Sequence, residues 1–122
     1  MDKLKVIFKR IKDDFRKVVP PLTETIDEEH HYEVWAVDGD KKTFFGKVIM
    51  HADFVEVAFY PHISRETEWT LYPGDIFKRM EDRFDCEIND LSPELESNIK
   101  EVINNMIDYF RMNGKLPPQK TF

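Results

Sequence analysis

Cysteine is nearly absent: Cys86 stands alone in 122 residues. No internal disulfide can form, so the fold must rest on its core, and a reducing cytoplasm is the expected setting. Glycine is almost as scarce, with four. No Gly-rich loop is available to cradle a phosphate, and no serine sits in a nucleophile-elbow context. The chain also lacks an apolar run of the ~18 residues that a membrane span needs. Its opening, Met1-Asp2-Lys3-Leu4-Lys5, alternates charge with apolar residues and carries no signal-peptide apolar region. Neither a membrane nor a secretory route is expected.

What is present is aromatic and charged. Ten phenylalanines bring the aromatic share to 13%, enough for one real core in one domain of this length. Charged residues make up 34% and leave a well-solvated surface. The net charge of −6 hides an asymmetry. Residues 1–20 carry seven Lys/Arg against three Asp/Glu, a balance of +4, and the rest of the chain carries −10. An acidic body argues against a nucleic-acid partner, which would select a basic footprint. The basic start reads as a polar face that complements that body.

The stretch from Lys42 to His62 organises the chain. Residues 43–51 and 54–61 are rich in aromatic and β-branched side chains, which suit a pleated surface. Ala52-Asp53 between them is short enough for a two-residue hairpin loop. That turn places Met50 opposite Val55, Val48 opposite Val57 and Gly46 opposite Phe59, an apolar set that must face the core. The other set pairs Ile49 with Glu56, Lys47 with Ala58 and Phe45 with Tyr60. A one-residue slip would exchange the two sets, so burial selects the register. Gly46 leaves space for the Phe59 ring.

Around the hairpin, the pattern predicts an amphipathic helix over 1–19, with Leu4, Ile7, Phe8, Ile11, Phe15 and Val18 on one face and Pro20-Pro21 as its stop. Residues 20–29 read as an acidic loop and 31–37 as the first strand. If Val37 lies opposite Thr43, Ala36 and Phe44 are core-facing neighbours, while Trp35 falls beside Phe45 and Glu33 beside Lys47. Trp35, Phe45 and Tyr60 then form one row across the outer face, next to a charged row of Glu33, Lys47 and Glu56.

Residues 62–75 form a connection long enough to suggest a functional role. In it Trp69, Leu71 and Tyr72 are expected to pack back on the domain. Ile76, Phe77 and Met80 predict a short helix, and Phe84 to Ile88 a short last strand, within a sheet region spanning 31–88. Ser92-Pro93-Glu94 is a strong start for a helix over 92–113, with Ser as cap, Pro at the first position and acidic residues at the positive end. Leu95, Ile99, Val102, Ile103, Met106 and Phe110 make its buried stripe. Asn113-Gly114 marks its stop, leaving a tail over 114–122. The expected fold is α+β: a two-layer domain with an antiparallel sheet of about four strands and two long helices on one face. The expected order is helix, three strands, short helix, strand, helix.

Phe44-Phe45-Gly46-Lys47-Val48-Ile49, the strand Phe54 to Tyr60 ending in Pro61, the segment Cys86-Glu87-Ile88 and the opening Ser92-Pro93-Glu94-Leu95 together resemble the DUF1801, or YdhG-like, group of small bacterial proteins. The resemblance spans roughly residues 30–113. It departs from the group before Cys86, where Glu81-Asp82-Arg83-Phe84-Asp85 replaces the Gly and Lys of related chains. It implies a YdhG-like α+β fold. Because some members have been called frataxin-like iron chaperones, it also raises iron binding.

Candidate chemistry is sparse. His51 and His62 lie about eight strand positions apart, roughly 25 Å, and cannot share a metal. None of the four histidines has zinc-site spacing. A frataxin-type site would lean on an acidic first helix, and here that helix is basic. Weak iron binding would fall instead to the acidic run with its histidines, Glu28, Glu29, His30 and His31. Cys86 lies between Asp85 and Glu87, which blunt a thiol, and reads as a small core residue. No catalytic constellation emerges and no cofactor is called for.

The remaining surface is the outer face, with Trp35, Phe45, Tyr60, Lys47, Glu33 and Glu56, and Trp69 on its rim. Exposed aromatic rows mark partner surfaces. The sequence therefore points to a non-enzymatic cytoplasmic binding module that contacts another protein or a second copy of itself. The alternatives are an iron-binding chaperone and a small-molecule pocket under the 62–75 connection.

Overall fold

The computed structural model describes residues 3–60 and 85–116. Its elements are α1 (Lys3–Arg16), β1 (Thr23–Asp27), β2 (His31–Asp38), β3 (Lys41–Met50), β4 (Val55–Phe59), β5 (Asp85–Ile88) and α2 (Pro93–Met112). The strands form one antiparallel sheet in the order β1-β2-β3-β4-β5. The α+β class and the pair of long helices match the sequence-based expectation. One strand, β1, lies where the sequence predicts an acidic loop over 20–29, because its backbone pairs with β2 although its side chains are mostly exposed. The connection expected over 62–75, including Trp69, and the short helix expected after it lie outside the described residues. No helix among the described residues is long and apolar enough to cross a membrane.

The hairpin register follows from which residues must be buried. Met50 pairs with Val55, Val48 with Val57 and Gly46 with Phe59, as the burial argument requires. Val48, Val55, Val57 and Phe59 are buried and lie under the helices. From α1, Ile7, Phe8, Ile11 and Phe15 enter the core, and from α2 the stripe from Leu95 to Phe110. Gly46 does leave room for a ring, but the ring belongs to Phe15 of α1. A Cβ on Gly46 would lie 2.8 Å from Phe15 Cε1 and 3.1 Å from the Ala58 carbonyl oxygen.

Two irregularities in the sheet change what each face carries. Between β2 and β3 the register shifts: Val34 pairs with Gly46, but Trp35 pairs with Phe44. Phe45 is the extra residue of a β-bulge, so Phe45 and Gly46 both turn to the helix side. Phe45 is fully buried between the helices, 6.3 Å from the Phe15 ring and 5.1 Å from the Phe110 ring, edge-on to both. Phe44 moves to the outer face. Between β1 and β2 the register shifts at Thr25, which separates the Glu24–Val34 and Ile26–Glu33 pairs. That shift brings Glu24 and Asp27 to the same side, toward α1, where regular alternation would have opposed them.

The second helix begins and ends as its sequence prescribes. The Ser92 hydroxyl accepts the Leu95 N–H at 3.1 Å, with Pro93 at the first position. At its end Gly114 adopts φ +71°, a left-handed conformation suited to glycine. The Lys115 N–H donates to the Phe110 carbonyl at 2.8 Å and the Gly114 N–H to the Arg111 carbonyl at 3.3 Å, closing the helix. Leu116, just past this stop, is buried.

Candidate functional site

Among the described residues, both helices pack on the core side of the sheet and neither crosses its outer face. Three alternate residues of β2 organise it, because a strand directs i, i+2 and i+4 to one side. Glu33 is the hub. One carboxylate oxygen accepts the Trp35 indole N–H at 2.5 Å, and the other lies 3.2 Å from His31 Nε2. The Trp35 ring meets the Phe44 ring edge-on, with centroids 5.7 Å apart. Lys47 stands opposite Glu33 in the register and makes no ion pair among the described residues. Farther along, Glu56 holds His51 Nε2 at 2.8 Å, and the His51 ring lies against Phe54. Trp35, Phe44, Lys47, Ile49, Glu33 and Glu56 are all half-buried.

The expected aromatic row is therefore not formed. Of Trp35, Phe45 and Tyr60, only Trp35 lies on this face. The bulge turns Phe45 inward. Tyr60, whose N–H donates to the Phe45 carbonyl at 3.0 Å, sets its ring 5.2 Å from Phe110, with the Lys115 ammonium 5.2 Å above it. Phe44 replaces Phe45 as the neighbour of Trp35. The charged row stands in outline: Glu33 lies across from Lys47 in the register, without an ion pair, and Glu56 lies across from Ile49.

The acidic run is not gathered into a metal site. Glu28, Glu29 and His30 are exposed at the β1–β2 turn, and His31 turns to Glu33. Among the described residues, no three His, Cys, Asp or Glu side chains come together to hold a metal. Cys86 is buried, as its reading as a small core residue requires.

The basic side of α1 is partnered by β1. Lys12 reaches Asp27 at 2.5 Å, while Arg16 reaches Glu24 at 3.0 Å and Asp27 at 2.7 Å. The Tyr32 hydroxyl donates to Glu24 at 2.5 Å, and Lys12 and Arg16 both lie over the Tyr32 ring. The hydrogen bonds from Tyr32 and Arg16 hold Glu24 below the usual carboxylate range, and the Lys12 ammonium does the same for Asp27. Burial and the Glu24 hydrogen bond push the Tyr32 phenol well up. These pairs set two of the basic residues of the chain's start against the acidic body.

The opposite flank of α1 behaves differently. Asp14 and Glu96 are both buried where α1 meets α2. Burial first, and then the neighbouring Glu96, push the Asp14 carboxyl up to about 6. Sequence reading missed both residues, although a signal existed. Asp14 falls in the stripe Ile7, Ile11, Val18, and Glu96 in the stripe Ile99, Ile103, Met106, Phe110, each where the helical spacing calls for an apolar side chain.

No protein-family model matches the chain, and no significant match was found among curated proteins or solved structures.

Proposed function

We propose that the protein is a non-enzymatic binding module, working in a reducing cytoplasm, whose outer sheet face contacts another protein or a second copy of itself. One observation carries this reading. Both long helices are spent on one face of the sheet, while the other presents Trp35 on Phe44 with Glu33, His31 and Lys47 around them. An indole whose N–H is already bonded within the chain offers its apolar ring, and the charged neighbours supply direction. That is the make-up of an interface anchor with a polar rim.

The test compares the wild-type chain with a Trp35→Ser, Phe44→Ser double variant. Light scattering across a dilution series reads self-association first. A dimer in the wild type that becomes monomer in the variant supports the reading, and a dimer indifferent to both substitutions removes it. For a wild-type monomer, the same two chains serve as bait in affinity capture. A protein held by the wild type and lost by the variant supports the reading; identical captures overturn it.

A further inference from the structure

The α1–α2 seam carries an acid pair that its neighbours do not balance. Asp14 Oδ1 lies 3.8 Å from Lys17 Nζ, and that lysine is largely in solvent. Asp14 Oδ2 is buried with no hydrogen-bond partner. Across the seam, Glu96 is anchored by Arg10 and lies against the Asp14 carboxyl. Lys100 is the other charge that α2 directs toward Asp14. The sheet beneath this part of α1 offers apolar contacts, Phe45 and Phe59 against Phe15.

Two adjacent buried carboxylates cannot both ionise without cost, and a buried oxygen with no donor adds to it. One proton resolves both problems. We propose that Asp14 and Glu96 share a proton and form an acid-tightened latch joining α1 to α2. The proton resides on Asp14, because Glu96 is the carboxylate that Arg10 ion-pairs. The Asp14 hydroxyl then donates to the Glu96 carboxylate and satisfies Oδ2. Loss of that proton sets two negative charges against each other beside a cleft of about 190 Å³, lined by Asp14, Lys17, Val18, Lys100, Ile103 and Asn104. Water can enter the seam there, and the helices loosen on their shared edge.

Urea unfolding of the wild type and of Asp14→Asn, at about pH 8 and about pH 5, tests the latch. With Asp14 titrating at about 6 in the folded chain against 3.8 as its ordinary value, this group raises the wild-type folding constant about tenfold on acidification. The asparagine amide donates to Glu96 at every pH, so Asp14→Asn loses that rise. The two chains differ at residue 14 alone, so the difference between their pH responses is the readout. Equal pH responses overturn the proposal. Carbon-13 NMR of the Asp14 carboxyl in the unsubstituted chain gives a second reading. A midpoint near 6 is expected, and one near 4 overturns it.

Discussion

The two faces of the sheet are made by the same strands and treated in opposite ways. On the helix side, Val34, Gly46, Val57 and Phe59 lie under α1 and α2, and the bulged Phe45 reaches the rings of Phe15 and Phe110. On the outer side, Trp35, Phe44, Lys47 and Ile49 stay half-accessible, and the Trp35 indole N–H bonds along its own strand to Glu33. A single extra residue in β3 separates the two regimes. Without the bulge, Phe45 would join the outer row and Phe44 the core. The lesson is that identical residue types a single position apart can face the core or the open side of the sheet, and that the local backbone decides which.

Substitutions on the helix side should break the fold first. Phe45→Ala removes the ring between both helices and should cost about 3–5 kcal/mol, read by chemical denaturation. Gly46→Ala should cost about 1–3 kcal/mol, because the new Cβ meets the Phe15 ring at 2.8 Å and a backbone oxygen behind it. The Phe15 ring has little room to yield, held between Phe45 and Phe59. Tyr32→Phe deletes the hydroxyl bonded to Glu24 and should cost about 1 kcal/mol.

The charged flank of α1 sharpens the contrast at smaller scale. Glu24 and Asp27 have folded values below their ordinary ones. Their contribution is therefore present above the ordinary carboxylate range and is lost as pH falls through the depressed values. Stability should decline in acid below about pH 4. Arg16→Ala should flatten that acid limb while costing only about 0–1 kcal/mol near neutrality, since the pairs are partly exposed and screened. A stability–pH curve on both chains checks the sign.

Much of this architecture was legible because burial leaves a period in the sequence. The β3–β4 register followed from keeping Val48, Val57 and Phe59 inside, and α2 from its cap and stripe. The bulge at Phe45 left no such trace. Phe44 and Phe45 are the same residue, so hydrophobicity could not tell which one turns inward. β1 was hidden for another reason: an edge strand with only Ile26 half-buried carries no apolar alternation to detect. What marks it, the β-branched Thr23, Thr25 and Ile26, is a weak signal beside acidic neighbours. Asp14 and Glu96 were readable as breaks in two apolar stripes, but their meeting across the seam depends on how the helices pack. Of the candidate site, Glu33, Trp35, Lys47 and Glu56 fell on the outer face as the alternation requires, while Phe45 and Tyr60 did not.

The claim that the outer face is a recognition surface and not a second core is tested most directly by urea denaturation of Trp35→Ser beside Phe45→Ala. The account predicts that Trp35→Ser loses less than half the stability that Phe45→Ala loses, leaving a folded chain whose contact surface is gone. Equal losses would contradict it, because Trp35 would then be holding the fold together from the other side of the sheet.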